Sequence, residues 1–303
     1  MKWKKIMLKA AIVLISLALL VGVVGLFVYH EVVSTSKVVY QPIKKSDRRI
    51  EPINVVEKDP FSVLLLGVDK REGDRGRSDS LMLLTVNPNN NTTKIISIPR
   101  DTRTLIVGKN RIDKINHAYA FGGVQMTVNT VEKFLNIPID YYMEVNMEGF
   151  KDVVDAIGGV KVNNTLDFTN DDVHFKKGTL FLNGSDALSF TRMRHDDPNG
   201  DFGREARQRQ IIEAVINQGS KIENLIGYGD ILKSIKKNLV TNFTIQEIYN
   251  IQKEYREASG NIEQEQLQGS GELIKGIYYY LVPEKNRLSL SNELRNQLQL
   301  ESK

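Results

Sequence analysis

Arginine and aspartate side chains carry most of the chemistry that this sequence offers. The 303-residue chain has no cysteine, which excludes disulfides, thiol catalysis, iron–sulfur ligation and Cys-based zinc sites. Its histidines are scattered along the chain, at His30, His117, His174 and His195. No GxSxG, HExxH, GxGxxG or Walker A motif is present. A site in this chain must therefore rest on other residue types.

One group of charged residues lies where predicted strands end. The apolar run Phe61–Val68 predicts a buried strand, and Leu81–Val86 and Lys94–Ile98 predict two more, joined as an antiparallel hairpin by the turn-forming residues 87–91. This topology brings five residues to one edge of the sheet: Asp69, Arg77, Asp79, Arg100 and Asp101. Charged loops at strand ends are common, so any one of these residues alone is unremarkable. Their convergence favours a ligand site beyond the carboxyl ends of the strands.

The segment Thr191-Arg192-Met193-Arg194 adds two more guanidinium groups. If the chain is extended there, Arg192 and Arg194 share a face and Met193 points inward. Like charges side by side repel each other unless an anion lies between them. This pattern indicates an anion site, and an ordinary surface strand edge is the alternative interpretation.

The predicted helix Gly203–Gln218 begins with polar residues on its inward face. Ile211 and Val215 define that face, and stepping back along it reaches Arg207 or Gln208 and then Arg204. An arginine in the first turn also opposes the helix dipole, which favours anions there. Polar residues on an inward face and an arginine in the first turn are both unfavourable. Together they indicate that an anionic ligand binds there and compensates for this cost. Arg209 is predicted to be a solvated surface residue.

The elements that position these residues alternate between strands and helices. Further predictions are an amphipathic helix from Val124 to Leu135, a strand at Tyr141–Val145, a short helix around residues 150–157, a helix opened by the capping box Thr244–Glu247 and a strand at Ile277–Val282. Together they predict an α/β fold, an α-β-α sandwich with a central mixed sheet. The segment 185–194 fits either a helix or a strand.

The N-terminal sequence predicts on which side of a membrane the rest of the chain lies. Ala10–Val28 is a 19-residue run without a charge, about long enough to cross a bilayer as a helix, with four lysines before it and only Lys37 in the 15 residues after it. The predicted organisation is a cytoplasmic tail (1–9), a transmembrane signal-anchor helix (10–29), an extracellular stalk (30–58) and an extracellular domain (59–303). A cleaved signal peptide is the alternative, although the run is longer than is usual for one.

The charge balance argues against a nucleic-acid partner. The four lysines at positions 2, 4, 5 and 9 account for the whole net charge of +4, because the 37 remaining basic residues match the 37 acidic ones. A duplex-binding domain normally carries a net basic surface. Guanidinium groups instead match phosphate oxygens, and aspartates hold Mg²⁺ together with substrate phosphates. Outside a membrane, where ATP is absent, this combination indicates phosphoryl transfer from a lipid-linked pyrophosphate.

The same motifs, in the same order and preceded by a predicted membrane anchor, resemble the LytR-CpsA-Psr family. The matching stretches are GVD (Asp69), GRSDS (Arg77, Asp79), IPRD (Arg100, Asp101), TRMR (Arg192, Arg194) and DFGREARQRQ (Arg204, Gln208), with KINHAYAFGG and NGSDALSFTRMR between them. The resemblance covers roughly residues 60 to 285. Each motif alone is weak, whereas five in order are specific.

The resemblance implies a transferase of the Gram-positive cell wall. Such an enzyme moves an anionic glycopolymer, for example wall teichoic acid, from undecaprenyl pyrophosphate to the muramic-acid 6-hydroxyl of peptidoglycan. By this resemblance, Asp69 and Asp79 bind Mg²⁺ or Mn²⁺ and act with Arg100 in catalysis, and Asp74 is an alternative to Asp69. The implied pyrophosphate-binding set is Arg77, Arg100, Arg192, Arg194, Arg204 and Gln208. The alternative functions are a non-catalytic envelope regulator that binds prenyl pyrophosphates and a lipid-pyrophosphate hydrolase.

Overall fold

A computed structural model of the protein describes residues 39–69, 76–221 and 238–300. The predicted tail, the anchor Ala10–Val28 and the first part of the stalk lie outside these residues. In the described ranges, no helix combines the length and apolar character that crossing a membrane requires. Asp74 also falls outside the description.

The strands in chain order are β1 (Phe61–Asp69), β2 (Arg77–Asn87), β3 (Thr92–Ser97), β4 (Arg103–Ile106), β5 (Arg111–Lys114), β6 (Tyr141–Val145), β7 (Val160–Asn164), β8 (Phe168–Asn170), β9 (Val173–Phe175), β10 (Gly178–Leu182), β11 (Leu239–Thr241), β12 (Ile262–Gln266), β13 (Ser270–Ile274) and β14 (Ile277–Leu281). The helices are α1 (His117–Leu135), α2 (Met147–Ala156), α3 (Gly184–Arg192), α4 (Asp201–Gly219), α5 (Ile245–Glu254) and α6 (Glu284–Gln297), and a 3-10 helix spans Arg256–Gly260.

A six-stranded mixed sheet organises the fold, with the strand order β11-β6-β1-β2-β3-β12. The predicted hairpin is confirmed, because β2 pairs antiparallel with β3 across the turn at residues 87–91. β1 is antiparallel to β2 and parallel to β6, and β12 is parallel to β3. The carboxyl ends of β1, β3, β6 and β12 therefore lie at one edge of the sheet, called the carboxyl edge below.

Helices cover both faces of this sheet. Alternate β1 side chains such as Leu64 and Leu66 pack in one core with α1 and α6. The intervening residues, such as Val63, pack in a second core to which α4 and α5 contribute. Since the side chains of a strand alternate between faces, the continuous apolar run of β1 supplies both cores. The predicted mixed α/β fold with a central mixed sheet is confirmed.

A third core lies beside the sheet and is called the small core below, after the small two-stranded sheets that it joins. It joins α2 and α3 to the small sheets β7–β10 and β8–β9, and it contains the neighbouring rings of Phe168, Phe175 and Phe190. Ile211 of α4 is fully buried in this third core. Ile212 and Ile216 of the same helix pack instead in the second core, the one that contains Val63. Helix α4 is therefore packed on two sides.

Local sequence signals account for several helix ends. The capping box at the start of α5 is confirmed, with Thr244 and Glu247 capping each other's backbone amides.

Helix α1 begins earlier than predicted, at His117, and runs through a kink at Gly122 and Gly123. Gly123 has a φ of 64° there, a conformation that glycine adopts without steric cost. The periodicity after the kink thus predicted only the second part of this helix.

Candidate active site

The β1–β2 pair brings two aspartates and an arginine to the carboxyl edge. Asp69 at the end of β1 lies opposite Arg77, the first residue of β2. Val68 pairs with Ser78 and Gly67 with Ser80, so Asp79 is the additional residue of a β-bulge. A bulge redirects a side chain out of the regular alternation of the strand. The β2 strand begins four residues before the predicted start at Leu81, and this extension carries the bulge.

Arg100 follows β3 and reaches across to the bulge. Its Nη1 atom donates to Oδ1 of Asp79 at 2.9 Å, and its Nε lies 3.8 Å from carboxylate oxygens of both Asp101 and Asp201. Partial burial acts to lower the pKa of Arg100, but the carboxylates of Asp201, Asp79 and Asp101 outweigh it, and the pKa is raised. The guanidinium group is thus oriented by three acids and remains charged.

Asp201 stands at the centre of three guanidinium groups. Its Oδ1 atom lies 2.9 Å from Nη2 of Arg204 and 3.1 Å from Nε of Arg194, and its Oδ2 lies 3.8 Å from Arg100. It is the first residue of α4, where a carboxylate is favourable to the helix dipole. The chain itself therefore supplies part of the compensation that Arg204 in the first turn requires. Sequence reasoning missed this residue.

The guanidinium cluster keeps donor capacity after these contacts. Nε of Arg204 is buried and has no hydrogen-bond partner among the described residues. Burial lowers the pKa of Arg204, Asp201 opposes this, and the neighbouring Arg100 and Arg194 lower it further. Arg100, Arg194 and Arg204 repel one another where they meet at Asp201, and an anion bound beside them would reduce this repulsion.

A cavity of about 300 Å³ opens beside this cluster. It is lined by Pro99, Arg100, Asp101, Arg194, Asn199, Asp201, Phe202, Glu205, Tyr278 and Tyr280. Phe202 meets Tyr280 edge to face, with ring centroids 5.6 Å apart. Charged groups thus lie beside aromatic rings, an arrangement suited to a ligand with both anionic and apolar parts.

Glu205 is a buried carboxyl group in the wall of this cavity. Its side chain is only 7% exposed, and Oε2 has no hydrogen-bond partner in the described part of the chain. Burial and the neighbouring Asp201 raise its pKa to about 7, although Arg209, Arg204 and Arg100 act to lower it. Sequence reasoning missed Glu205, since its charge matches the expected pattern of an exposed helix position.

The remaining polar residues of α4 take separate roles. Gln208 accepts a hydrogen bond from Oγ of Ser80 at 3.0 Å, which ties the helix to β2 beside the bulge. Arg207 is buried, donates to the backbone oxygens of Phe190 and Met193, and pairs with Asp197. It therefore holds the segment after α3 in place.

The prediction that Arg209 is solvated is wrong. Its side chain is only 8% exposed, and Nη1 donates to Oγ of Ser97 in β3 at 2.7 Å. The reason is that α4 packs on two sides, against the small core and against the sheet. A single inward stripe through Ile211 and Val215 described only one of these sides.

The segment that fitted either a helix or a strand is mostly helical, so the extended chain that would place Arg192 and Arg194 on one face is not present up to Arg192. Helix α3 continues to Arg192, and the chain becomes extended only at Met193, which has a φ of −57° and a ψ of 135°. Met193 points into the small core as predicted. Arg194 lines the cavity, whereas Arg192 is exposed and is not among the lining residues. The two arginines therefore do not flank the cavity as an equivalent pair.

The acidic residues of the carboxyl edge suit a hard divalent cation. In the part of the chain that the structure describes, no group of three or more His, Asp or Glu residues is arranged to hold a metal. Mg²⁺ usually takes only one or two protein carboxylates together with substrate phosphates. Asp69 ends β1, and Asp79 lies in the bulge of β2 with 42% of its side chain exposed, so the carboxyl edge offers two carboxylates of the kind that Mg²⁺ uses.

Comparison with known proteins covers nearly the whole chain. The sequence model of the LytR_cpsA_psr family matches residues 26–296. The polyisoprenyl-teichoic acid–peptidoglycan teichoic acid transferase TagU of Bacillus licheniformis is 49% identical over 298 residues, 98% of this chain and 97% of that protein. The crystal structure of Bacillus subtilis TagU superimposes with a TM-score of 0.66 at 49% identity, covering 81% of this chain and 99% of that one. A structure of TagT bound to LI-WTA gives a TM-score of 0.72 at 33% identity and covers 84% and 96% of the two chains.

Proposed function

The chain belongs to the LytR_cpsA_psr family, and from this premise we propose that it is a glycopolymer-phosphate transferase of cell-wall assembly. It transfers an anionic glycopolymer, which we take to be wall teichoic acid, from undecaprenyl pyrophosphate to peptidoglycan. The observation that carries this function is the convergence of Arg100, Arg194 and Arg204 on Asp201, beside the cavity that Arg100, Arg194 and Asp201 line. Guanidinium forks bind phosphate oxygens in pairs, so this cluster fits a pyrophosphate.

The reaction converts the phosphoanhydride of the donor into a phosphodiester. The 6-hydroxyl oxygen of a muramic-acid residue attacks the phosphorus that carries the polymer, a new P–O bond forms, and the bond to undecaprenyl phosphate breaks. Arg100, held by Asp79, Asp101 and Asp201, is oriented before the substrate arrives. A preorganised donor of this kind stabilises the charge that develops on the phosphate oxygens. The proton of the hydroxyl group passes to a carboxylate of the site, for which Glu205, with a pKa of about 7, is suited.

A divalent cation completes this proposal. Asp69 and Asp79 would hold Mg²⁺ or Mn²⁺, and the cation would offset the negative charge of the pyrophosphate. The support is chemical, because two carboxylates at the carboxyl edge would otherwise repel an anionic donor. Arg77, opposite Asp69 in the β1–β2 ladder, and Gln208, bonded to Ser80, complete the binding set.

The proposed location is the cell membrane of a Gram-positive envelope, with the N-terminus in the cytoplasm and the catalytic domain outside. The lysine asymmetry around Ala10–Val28 supports this orientation. It places the site on the side of the membrane where peptidoglycan is assembled and where a lipid-linked donor is exposed.

A transfer assay tests the proposal. The full chain in detergent is incubated with lipid-pyrophosphate-linked glycan, Mg²⁺ and peptidoglycan oligomers, and a phosphodiester conjugate is sought by mass spectrometry. We expect conjugate from the wild type and almost none from Arg194→Ala. Arg111→Ala, which removes an exposed arginine outside the cavity lining, is the matched control and should retain activity. Equal conjugate from all three proteins would contradict the assignment of the guanidinium cluster.

A further inference from the structure

The chain enters the described fold at the carboxyl edge. Tyr40 forms a parallel bridge with Thr241 of β11, and the amide of residue 41 donates to the Thr241 carbonyl at 2.8 Å. β11 runs antiparallel to β6, with Leu239 opposite Val145, and Val145 is level with Gly67 near the end of β1. The segment that starts at residue 39 thus runs inward from the edge at which the cavity lies.

The length of the preceding chain restricts how far this edge can lie from a membrane. The apolar run ends at Val28, and residues 29–38 separate it from the described fold. Ten residues span at most about 35 Å when fully extended. If Ala10–Val28 is the membrane anchor, the carboxyl edge therefore stays within about 35 Å of the outer leaflet.

A two-stranded hairpin extends from the same edge. β12 runs parallel to β3, and the amide of Leu267 just after it donates to the carbonyl of Ser97. The chain then forms β13 and β14, which pair from Ser270 and Leu281 at the base to the tip at residues 274–277. Tyr278 and Tyr280 of β14 line the cavity. These two tyrosines therefore form part of the wall of the candidate active site, whereas Leu273 and Ile277 of the same hairpin are not among the lining residues.

The tip of this hairpin, residues 273–278, exposes apolar side chains to solvent. Leu273 is 70% exposed, Ile277 is 50% exposed and Tyr278 is 45% exposed, and Leu273 and Tyr278 form a cross-strand pair. Lys275 occupies the turn between the strands, with a φ of 52°. Aliphatic residues beside a tyrosine and a lysine are typical of segments that lie at the interface of a bilayer.

We infer that the hairpin tip docks on the outer surface of an anionic phospholipid bilayer and holds the cavity mouth against the membrane that delivers the donor. This inference rests on the proposed function for the nature of the donor and on the predicted anchor for the tether. Charge complementarity supports it, because Lys275 lies in the tip and the exposed Arg194 lines the cavity together with Tyr278 of the hairpin. Basic residues near a surface of anionic lipid are attracted to it.

Site-specific labelling tests the docking directly. The native chain has no cysteine, so Ile277→Cys introduces a single attachment point for an environment-sensitive fluorophore. The labelled full chain is reconstituted at one copy per nanodisc containing phosphatidylglycerol, which removes a second copy as the occupant. We expect blue-shifted emission and quenching by lipids that carry a nitroxide on the acyl chain. Val56→Cys, at a 63% exposed position that precedes β1 at the opposite edge, should report water. Water-like emission from both labels would overturn the inference.

A second experiment separates docking on the bilayer from contact with the donor. Leu273→Ser combined with Ile277→Ser removes apolar area without touching the arginine cluster. With donor at low density in nanodiscs, we expect transfer to fall about tenfold, as expected when aliphatic burial is lost. With donor in detergent micelles, the rate should be unchanged. An equal loss in both settings would mean that the tip binds the donor itself, and the docking inference would be wrong. The labelling result needs no catalysis, so failure of the proposed transferase activity remains distinguishable.

Discussion

The substitution Glu205→Gln should change how stability depends on pH. Glu205 is buried beside Asp201, and its pKa is raised from 4.5 to about 7. Since the folded state holds the proton more tightly than the unfolded chain, the stability that Glu205 contributes is fully present below about pH 4.5. It is lost as the pH rises to about 7. Glutamine has a similar shape and does not titrate, so the variant should lack this loss.

The magnitude follows from the two pKa values. With 4.5 for the unfolded chain and about 7 for the folded state, the wild type has lost about 1 kcal/mol at pH 5 and about 3 kcal/mol at pH 8. The stability difference between the variant and the wild type should therefore grow by about 2 kcal/mol over this range. For a domain of this size, that corresponds to a divergence in melting temperature of roughly 4–8 °C.

Thermal unfolding of both full-length proteins in the same detergent, at unit steps from pH 5 to pH 8, measures this divergence. Glu213→Gln, two turns further along α4 and hydrogen-bonded to Gln264, is the control and should run parallel to the wild type. A constant offset between Glu205→Gln and the wild type would show that the substitution changed packing alone. Parallel curves would thus refute the assignment of a raised pKa to this buried carboxyl group.

Arg100→Lys should lower the transfer rate by about 10²-fold, because lysine lacks the planar guanidinium group that donates two hydrogen bonds to phosphate. Steady-state kinetics measures this rate, and an unchanged rate would contradict the role of the guanidinium group. Arg207→Ala should cost about 3–5 kcal/mol of stability, measured by denaturant unfolding, since it leaves Asp197 as a buried, unpaired acid; a loss below about 1 kcal/mol would contradict this role. A protease site inserted near residue 60 should be cleaved from outside intact cells while the N-terminal part stays in the membrane, whereas release of a soluble chain beginning near Ser36 would favour a cleaved signal peptide.

The sequence predicted the carboxyl edge because local signals determine it. The apolar run of β1 and the turn at residues 87–91 fix a hairpin, and a hairpin fixes which strand ends meet. Asp69, Asp79 and Arg100 follow from that pairing. The bulge at Asp79 did not follow, since it depends on how the register shifts between Gly67 and Val68.

The rest of the candidate site depends on tertiary packing that no single segment encodes. Glu205 and Arg209 read as surface charges on α4, but this helix lies between two cores and buries both. Arg192 and Arg194 were separated by the end of α3, a boundary that the ambiguous segment did not specify. Tyr278 and Tyr280 reach the cavity from a hairpin far along the chain, a contact that needs the complete fold.

The central claim is that the site transfers phosphate to a sugar hydroxyl group and not to water. The direct measurement is mass spectrometry of the products formed in H₂¹⁸O by the full chain, with lipid-pyrophosphate-linked glycan, Mg²⁺ and peptidoglycan oligomers. Attack by the muramic-acid hydroxyl predicts a phosphodiester conjugate that contains no solvent oxygen. Free polymer phosphate carrying one ¹⁸O atom would identify a hydrolase, and unchanged donor that remains bound to the protein would identify a binder; either result would contradict the account.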